Sequence, residues 1–172
     1  MSKRADEDFL GWLASSRDGL RKTAYLLCGD WYLADDLVQD TLTRLFGVWG
    51  RIAGSGSPRP YARKILVNLY LDHQRRPSRR EFPQAQVPEA PGAEQAHSVD
   101  GDRDRLMTAL RQVPPGQRAV LVLRYWEDLS IEQTAQILGT SAGNVRSQAS
   151  RGLEHLRTAL ESDPITAAEE TL

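Results

Sequence analysis

Apolar residues between positions 34 and 49 recur every three or four residues, which is the period of an α-helix. The repeating positions are 34, 37, 38, 42, 45, 46 and 49. Similar spacing predicts helices over about 6–28 and from 58 or 59 to 76, the second with Tyr61, Ile65, Leu66 and Leu69 on its apolar side. No segment shows the sustained alternation of a strand, so the pattern predicts an all-α fold.

The C-terminal half of the chain is also predicted to be helical, with helices near 102–112, 115–126, 130–138 and 141–160. Ser130 and Gln133 have the Ser-x-x-Gln spacing of a capping box, which marks the start of the third of these helices. Gly139 and Thr140 form a short turn before the last helix. That helix is expected to bury Ala142, Val145, Ala149, Leu153 and Leu156.

Residues from Pro77 to Gly101 lack this periodicity and contain four of the nine prolines. Proline interrupts helices, and the other side chains here bury little apolar surface, so we expect a flexible linker over 78–101. The linker separates an N-terminal module, residues 1–77, from a C-terminal module, residues 102–162, which a tail over 163–172 follows. The predicted architecture is two small helical domains joined by a flexible linker.

Composition removes several classes of protein. The 22 basic and 23 acidic residues nearly cancel, so an argument for nucleic-acid binding must rest on local charge. No secretory signal and no run of about 18 apolar residues is visible, so we expect a cytoplasmic protein without membrane insertion. The single cysteine, Cys28, lies in an apolar run, where a packing role is favoured over a nucleophilic one. The three histidines suit no metal motif.

The helices predicted over 130–138 and 141–157 have the spacing of a helix-turn-helix, whose second helix reads duplex DNA in the major groove. The outward positions of that helix carry hydrogen-bonding side chains suited to bases and phosphates. They are Gly143, Asn144, Arg146, Ser147, Ser150 and Arg151. An ordinary helical hairpin with a solvated face is the alternative.

The segment from Arg59 to Arg80 has seven basic residues and one acidic residue, a local charge of +6. Lys64, Asn68, Asp72 and Arg75 share one helical face. Tyr61, Tyr70 and Trp49 could stack on bases, as aromatic side chains do in single-strand binding sites. A solvated cationic helix, with Tyr61 and Trp49 in the core, is the alternative.

The polar face of the 34–49 helix is acidic and could bind a basic protein partner, although such a face is usually only solvated. We find no convergent acid–base pair, no metal cluster and no Gly-rich phosphate loop with a Lys-Ser/Thr pair. The chain is therefore not expected to be an enzyme, and no cofactor or metal is predicted.

Two blocks of sequence resemble the extracytoplasmic-function (ECF) family of RNA polymerase sigma factors, particularly its actinobacterial SigE-type group. ADDLVQDTLTRLF (34–46) and PYARKILVNLYLDHQRR (60–76) resemble sigma region 2. VPPGQRAVLVLRYWEDLSIEQTAQILG (113–139) and NVRSQASRGL (144–153) resemble sigma region 4. The similarity covers about 20–160, with the blocks in the family's order.

The resemblance implies a role for each surface. The 34–49 helix would bind the clamp coiled coil of core RNA polymerase through Asp35, Asp36, Gln39, Asp40 and Arg44. The Gly50–Pro60 loop and the basic helix would capture the −10 element as a single strand, through Arg63, Lys64, Asn68, Asp72, Arg75 and Arg76. The last helix would read the −35 element as duplex, through Asn144, Arg146, Ser147, Ser150 and Arg151.

The implied partners are bacterial core RNA polymerase and promoter DNA, with control by a separate anti-sigma protein as a further hypothesis. A stand-alone helix-turn-helix regulator that binds duplex DNA without core polymerase is the alternative. Such a regulator has no need for the acidic face at 34–49 or for the basic face at 59–80.

Overall fold

We describe residues 3–76 and 99–162 of a computed structural model of the protein. These residues form helices joined by short turns and contain no strand, so the all-α prediction is confirmed. The helices are α1 (Lys3–Cys28), α2 (Trp31–Ile52), α3 (Arg59–Arg75), α4 (Val99–Gln112), α5 (Pro115–Leu121), α6 (Ile131–Leu138) and α7 (Ala142–Glu161). A π-helical segment, Val122–Trp126, follows α5 directly.

Local chemistry sets several of the helix ends. Gly29 has a φ of +71°, which suits glycine, and it ends α1 by donating its N–H to Tyr25 O at 2.7 Å. The Asp30 side chain then accepts from the N–H of Tyr32 and caps α2. The capping box predicted at α6 is present. Ser130 Oγ accepts from Gln133 N at 3.0 Å, and Gln133 Oε1 accepts from Ser130 N at 2.8 Å.

Two predicted helix starts are wrong by three residues, because α1 begins at Lys3 rather than near 6 and α4 begins at Val99 rather than near 102. The expected linker thus loses its last three residues to a helix. The rest of the linker and the tail over 163–172 lie outside the described residues.

α1, α2 and α3 pack together around the most deeply buried side chains of the N-terminal module, among them Leu27, Leu45 and Leu66. Aromatic rings fill the space between α1 and the second half of α2. The Phe9 ring packs edge-on against Trp49 with centroids 5.0 Å apart, and Trp12 lies 5.5 Å from Trp49. The burial of Trp49 settles its role as a core residue rather than a base-stacking surface.

In the C-terminal module, Val120, Ala135 and Val145 form a small core that joins α5, α6 and α7. Leu153 was expected to be buried, and that prediction is wrong, since it is 44% exposed. Gly152 is buried in its place, and a Cβ built there would lie 3.1 Å from Leu121 Cγ. The missing side chain lets α5 approach α7 closely on this side, and Leu153 is left on the outer side.

The two modules pack against each other, and one hydrophobic cluster contains buried residues from both. We call this contact the module junction. α1 contacts α4, α5 and the π-helical segment, while α3 contacts α5 and α6. The C-terminal module contributes Ala119, Val122, Leu123, Leu129 and Ile137 to the shared cluster.

Two arginines reinforce the module junction. The Arg118 side chain is only 7% exposed and donates to Leu27 O at 2.8 Å, Arg111 O at 2.6 Å and Val113 O at 2.9 Å. Leu27 and Arg111 lie in the last turns of α1 and α4, where carbonyls lack helical partners and the helix dipole is negative. Arg111 Nη2 donates to Gly29 O at 2.5 Å. Arg118 therefore caps one helix of each module.

Candidate protein and nucleic-acid interfaces

The acidic face predicted on α2 is present and solvent-exposed. Residues Leu37, Val38, Leu42 and Leu45 point into the core, so the opposite side of the helix must be polar. That side carries Asp35, Asp36, Gln39, Asp40 and Arg44, all of them exposed. α2 packs on α1 and α3, and its polar face remains accessible while the module junction is closed.

Asp35 differs from the other carboxylates of this face because it already has a partner. Arg21 of α1 donates to it through Nε at 2.5 Å and through Nη2 at 3.2 Å. The Arg21 guanidinium lowers the pKa of the Asp35 carboxyl. Arg21 also lies 4.3 Å from the centre of the Trp31 ring, which stacks on Tyr25. Asp35 thus makes an exposed ion pair between α1 and α2, and Asp36, Gln39 and Asp40 are the better candidates for binding a partner.

The basic face of α3 is divided between solvent and the C-terminal module. Lys64, Asn68, Asp72, Arg75 and Arg76 are exposed, with Arg75 3.8 Å from Asp72. Arg63 is not exposed in the same way, since its side chain is 11% accessible. It donates through Nε to Glu127 Oε2 at 2.6 Å, and its Nη2 contacts the same oxygen. One predicted DNA-binding residue is therefore covered by the other module.

The aromatic side chains near α3 do not act together. The periodicity predicts Tyr61 on the apolar side of the helix, which is wrong, because Tyr61 is 48% exposed. Ala62 and Leu66 define the buried side instead. Tyr70 is fully buried, and burial raises the pKa of its hydroxyl to about 12. Among Trp49, Tyr61 and Tyr70, Tyr61 is the ring available to a base.

The helix-turn-helix geometry is formed by α6, a three-residue turn and α7. Gly139 ends α6 in the left-handed conformation with φ +64°, and Ser141 caps α7 by accepting from Asn144 N at 3.1 Å. Arg146, Ser147, Ser150 and Arg151 are all exposed on α7. The Asn144 side chain is also exposed but donates to Thr140 Oγ1 at 2.9 Å, which fixes it at the turn.

Other candidate chemistry is not supported in the part of the chain that we describe. The Cys28 thiol is packed against the core and contacts Asp30 O at 3.1 Å, and burial raises its pKa to about 11. A thiol with that pKa stays protonated at neutral pH and is a poor nucleophile. Residues 3–76 and 99–162 contain no cluster of potential metal ligands. Within these ranges, no helix has the length and hydropathy that crossing a bilayer requires.

Sequence reasoning missed Glu127, Arg59 and Arg118 as residues that connect the two modules. Glu127 is 64 residues away from Arg63, and Arg118 is 91 residues away from Leu27. No periodicity or motif connects positions so far apart. A single acidic residue beside two exposed aromatics, Tyr125 and Trp126, carries no signal of its own.

Comparisons with known proteins identify the family of each module. Residues 12–80 match the protein family described as Sigma-70 region 2, and residues 103–156 match the family described as Sigma-70, region 4. The RNA polymerase sigma-E factor of Streptomyces avermitilis is 36% identical over 160 residues, covering 93% of this chain and 89% of the relative. That of Streptomyces antibioticus is 38% identical over 151 residues, covering 88% and 83%.

Two solved structures have a similar fold. The sigma factor RpoE from Bartonella quintana, solved with the anti-sigma factor NepR, matches 91% of this chain and 99% of its own at a TM-score of 0.69 and 24% identity. CnrH, solved with the cytosolic domain of CnrY, matches 92% and 90% at a TM-score of 0.64 and 20% identity. At these identities the likeness concerns the fold alone.

Proposed function

The chain belongs to the ECF group of the sigma-70 family, whose members bind core RNA polymerase and direct it to promoters, and we propose how its surfaces divide that work. The N-terminal module, residues 1–77, docks on core polymerase and opens the −10 element. The C-terminal module, residues 102–162, reads the −35 element as duplex. The match of residues 12–80 to region 2 speaks against a stand-alone helix-turn-helix regulator.

The exposed face of α2 is assigned to core polymerase. Asp36, Gln39, Asp40 and Arg44 are exposed, and none of them belongs to the hydrophobic cluster that the two modules share. Their accessibility while the junction is closed is the observation that carries the assignment. A partner with basic side chains would find two carboxylates one helical turn apart. Docking can then precede any separation of the modules.

The test is binding of the full chain to core RNA polymerase, measured by native gel shift. The double variant Asp36→Arg plus Asp40→Arg should lose tight binding, because two attractive charges become repulsive. Asp102→Arg plus Asp104→Arg makes the same charge change on exposed positions of α4 and is the matched control. If both double variants bind as well as the wild type, α2 is not the docking face. If the folded wild type does not bind, the whole proposal fails.

The promoter surfaces follow from exposure and charge. The accessible residues on and just after α3 are Lys64, Asn68, Asp72, Arg75 and Arg76, and Tyr61 offers a ring on which an unstacked base can lie. Arg146, Ser147, Ser150 and Arg151 lie on α7, where a major groove would be read. With the assembled holoenzyme, Arg151→Ala should weaken promoter binding by about 1–3 kcal/mol. Equal losses on DNA with and without a −35 element would show a phosphate contact rather than base reading.

Control by a separate anti-sigma protein is a further part of the proposal, and so is a cytoplasmic location beside the polymerase. The closed modules offer a partner one continuous body to stabilise. If the protein in lysates from every growth state binds added core polymerase at full strength, an antagonist of this kind is absent.

A further inference from the structure

Glu127 connects the C-terminal module to the helix assigned to the −10 element. It follows the π-helical segment directly, and its carboxylate is only 5% exposed. Oε2 accepts from Arg63 and lies 3.4 Å from Arg59 Nη2, while Thr23 Oγ1 of α1 donates to Oε1 at 2.5 Å. All of these partners belong to the N-terminal module.

Arg59 and Arg63 are one turn apart on α3, so their guanidinium groups converge on one point. Guanidinium groups bind carboxylates and phosphates with the same geometry. The point that Glu127 occupies is therefore also a site for a phosphodiester of a nucleic-acid strand. Arg59 retains 62% exposure, so a strand on Lys64 and Asn68 has access to the edge of this site.

The closed junction is incompatible with simultaneous reading of both promoter elements. α3 packs on α6, and α6 packs on α7, so about two helix spacings, roughly 20 Å, separate the −10 and −35 surfaces. Positions −10 and −35 differ by about 25 base pairs, so the two elements are about 85 Å apart along duplex DNA at 3.4 Å per base pair. The modules must separate on a promoter, and Glu127 then leaves Arg59 and Arg63.

We propose that Glu127 is an internal substitute for a DNA phosphate, which occupies the Arg59–Arg63 site and masks this part of the −10 surface in the unbound factor. This inference rests on the proposed function of α3. Core polymerase separates the modules, Glu127 moves away, and the promoter strand takes its place on the two guanidinium groups. The Glu127 carboxylate competes with a DNA phosphate for Arg59 and Arg63, so it weakens promoter binding by the unbound factor.

The test measures binding of the full chain, without polymerase, to a fluorescein-labelled oligothymidylate of about 12 nucleotides by anisotropy. Glu127→Gln should bind about tenfold more tightly than the wild type, because the competing carboxylate charge is gone. Its affinity should also depend more steeply on salt. The slope of log binding constant against log salt concentration should be steeper by about 0.7 to 1.4, for one or two added phosphate contacts. Glu154→Gln makes the same charge change at an exposed position of α7 and should do neither.

A second variant tests the same contact in case Glu127→Gln does not fold. Thr23→Val removes the hydroxyl that donates to Glu127 and leaves both arginines and the carboxylate in place. It should raise oligonucleotide affinity in the same direction, and its small-angle scattering should show a larger radius of gyration than the wild type. Unchanged affinity and unchanged radius in both folded variants would overturn the proposal.

Binding to core polymerase separates this inference from the proposed function. Glu127→Gln should assemble with core polymerase at least as well as the wild type, since the α2 face is untouched and a weaker junction favours the separated modules. Assembly without any gain in oligonucleotide affinity refutes the masking role and leaves the sigma function intact. Failure of the wild type to assemble refutes the sigma function itself.

Discussion

Replacing Arg118 by methionine tests whether the module junction depends on a buried guanidinium. Methionine preserves much of the apolar stem but removes the donors to Leu27 O, Arg111 O and Val113 O. Three carbonyls at the ends of α1 and α4 then lose a charged partner in a site that excludes water. We expect both helices to lose order at these ends and the two modules to separate more easily.

The magnitude follows from two opposing effects. Each hydrogen bond to a charged group contributes about 1.5–3 kcal/mol, and leaving buried acceptors unpaired adds to the loss. The buried guanidinium of Arg118 is itself poorly solvated, and this burial lowers its pKa. Removing it relieves that cost, so the sum of three bonds overestimates the effect. We expect a net loss of about 3 kcal/mol in the free energy of unfolding.

The assay is urea unfolding of the full chain followed by far-ultraviolet circular dichroism. Arg103→Met makes the same chemical change at an exposed position of α4 and should change stability by less than about 0.5 kcal/mol. Arg118→Lys keeps the charge but cannot reach three carbonyls at once, so it should fall between the two. A loss below about 1 kcal/mol for Arg118→Met, with an unchanged m-value, would refute the reasoning.

Three further predictions concern the core, one helix cap and the buried thiol. Leu123→Ala, at a fully buried position of the shared cluster, should cost about 2–5 kcal/mol in urea unfolding, whereas the exposed Leu153→Ala should cost less than about 1 kcal/mol; equal losses would contradict the shared core. Ser130→Ala removes one half of the capping box and should cost about 1 kcal/mol, which a loss no larger than that of the exposed Ser147→Ala would contradict. Because the folded pKa of Cys28 is about 11 and its ordinary value is 9.0, the folded state binds its proton more tightly, and the free energy of unfolding should fall as pH rises from 9 to 11. Cys28→Ala should remove that part of the pH dependence, so parallel profiles for the two proteins would contradict the burial of the thiol.

Local features of the fold could be predicted because they depend on neighbours in sequence. The helical period located α2, and the Ser-x-x-Gln pattern located both hydrogen bonds of the capping box at Ser130. Exposure along α7 was predicted less well, because periodicity defines a stripe and not which helix lies against it. Gly152 faces α5, and only the tertiary arrangement shows that a missing side chain is what allows the approach.

The candidate site also has features that could be predicted from sequence and features that could not. The polar faces of α2 and α7 could be assigned from sequence, since each lies opposite an apolar stripe on the same helix. The masking of Arg63 could not, because Glu127 reaches it only when two modules meet. Neither the linker sequence nor the surface charge determines how two modules are arranged. Local sequence patterns therefore cannot predict contacts across their junction.

The ribosome makes Arg63 before Glu127, so the contact between them cannot form until the later residue has been added. A ribosome adds about 5–20 residues per second, so the 64 residues from Arg63 to Glu127 take about 3–13 s. During that interval the nascent N-terminal module carries an uncovered pair of guanidinium groups. If Glu127 substitutes for a phosphate as proposed, each newly made molecule passes once through a state that attracts nucleic acid before its own C-terminal half closes over it. A slow codon between residues 64 and 127 would lengthen that state without changing the protein.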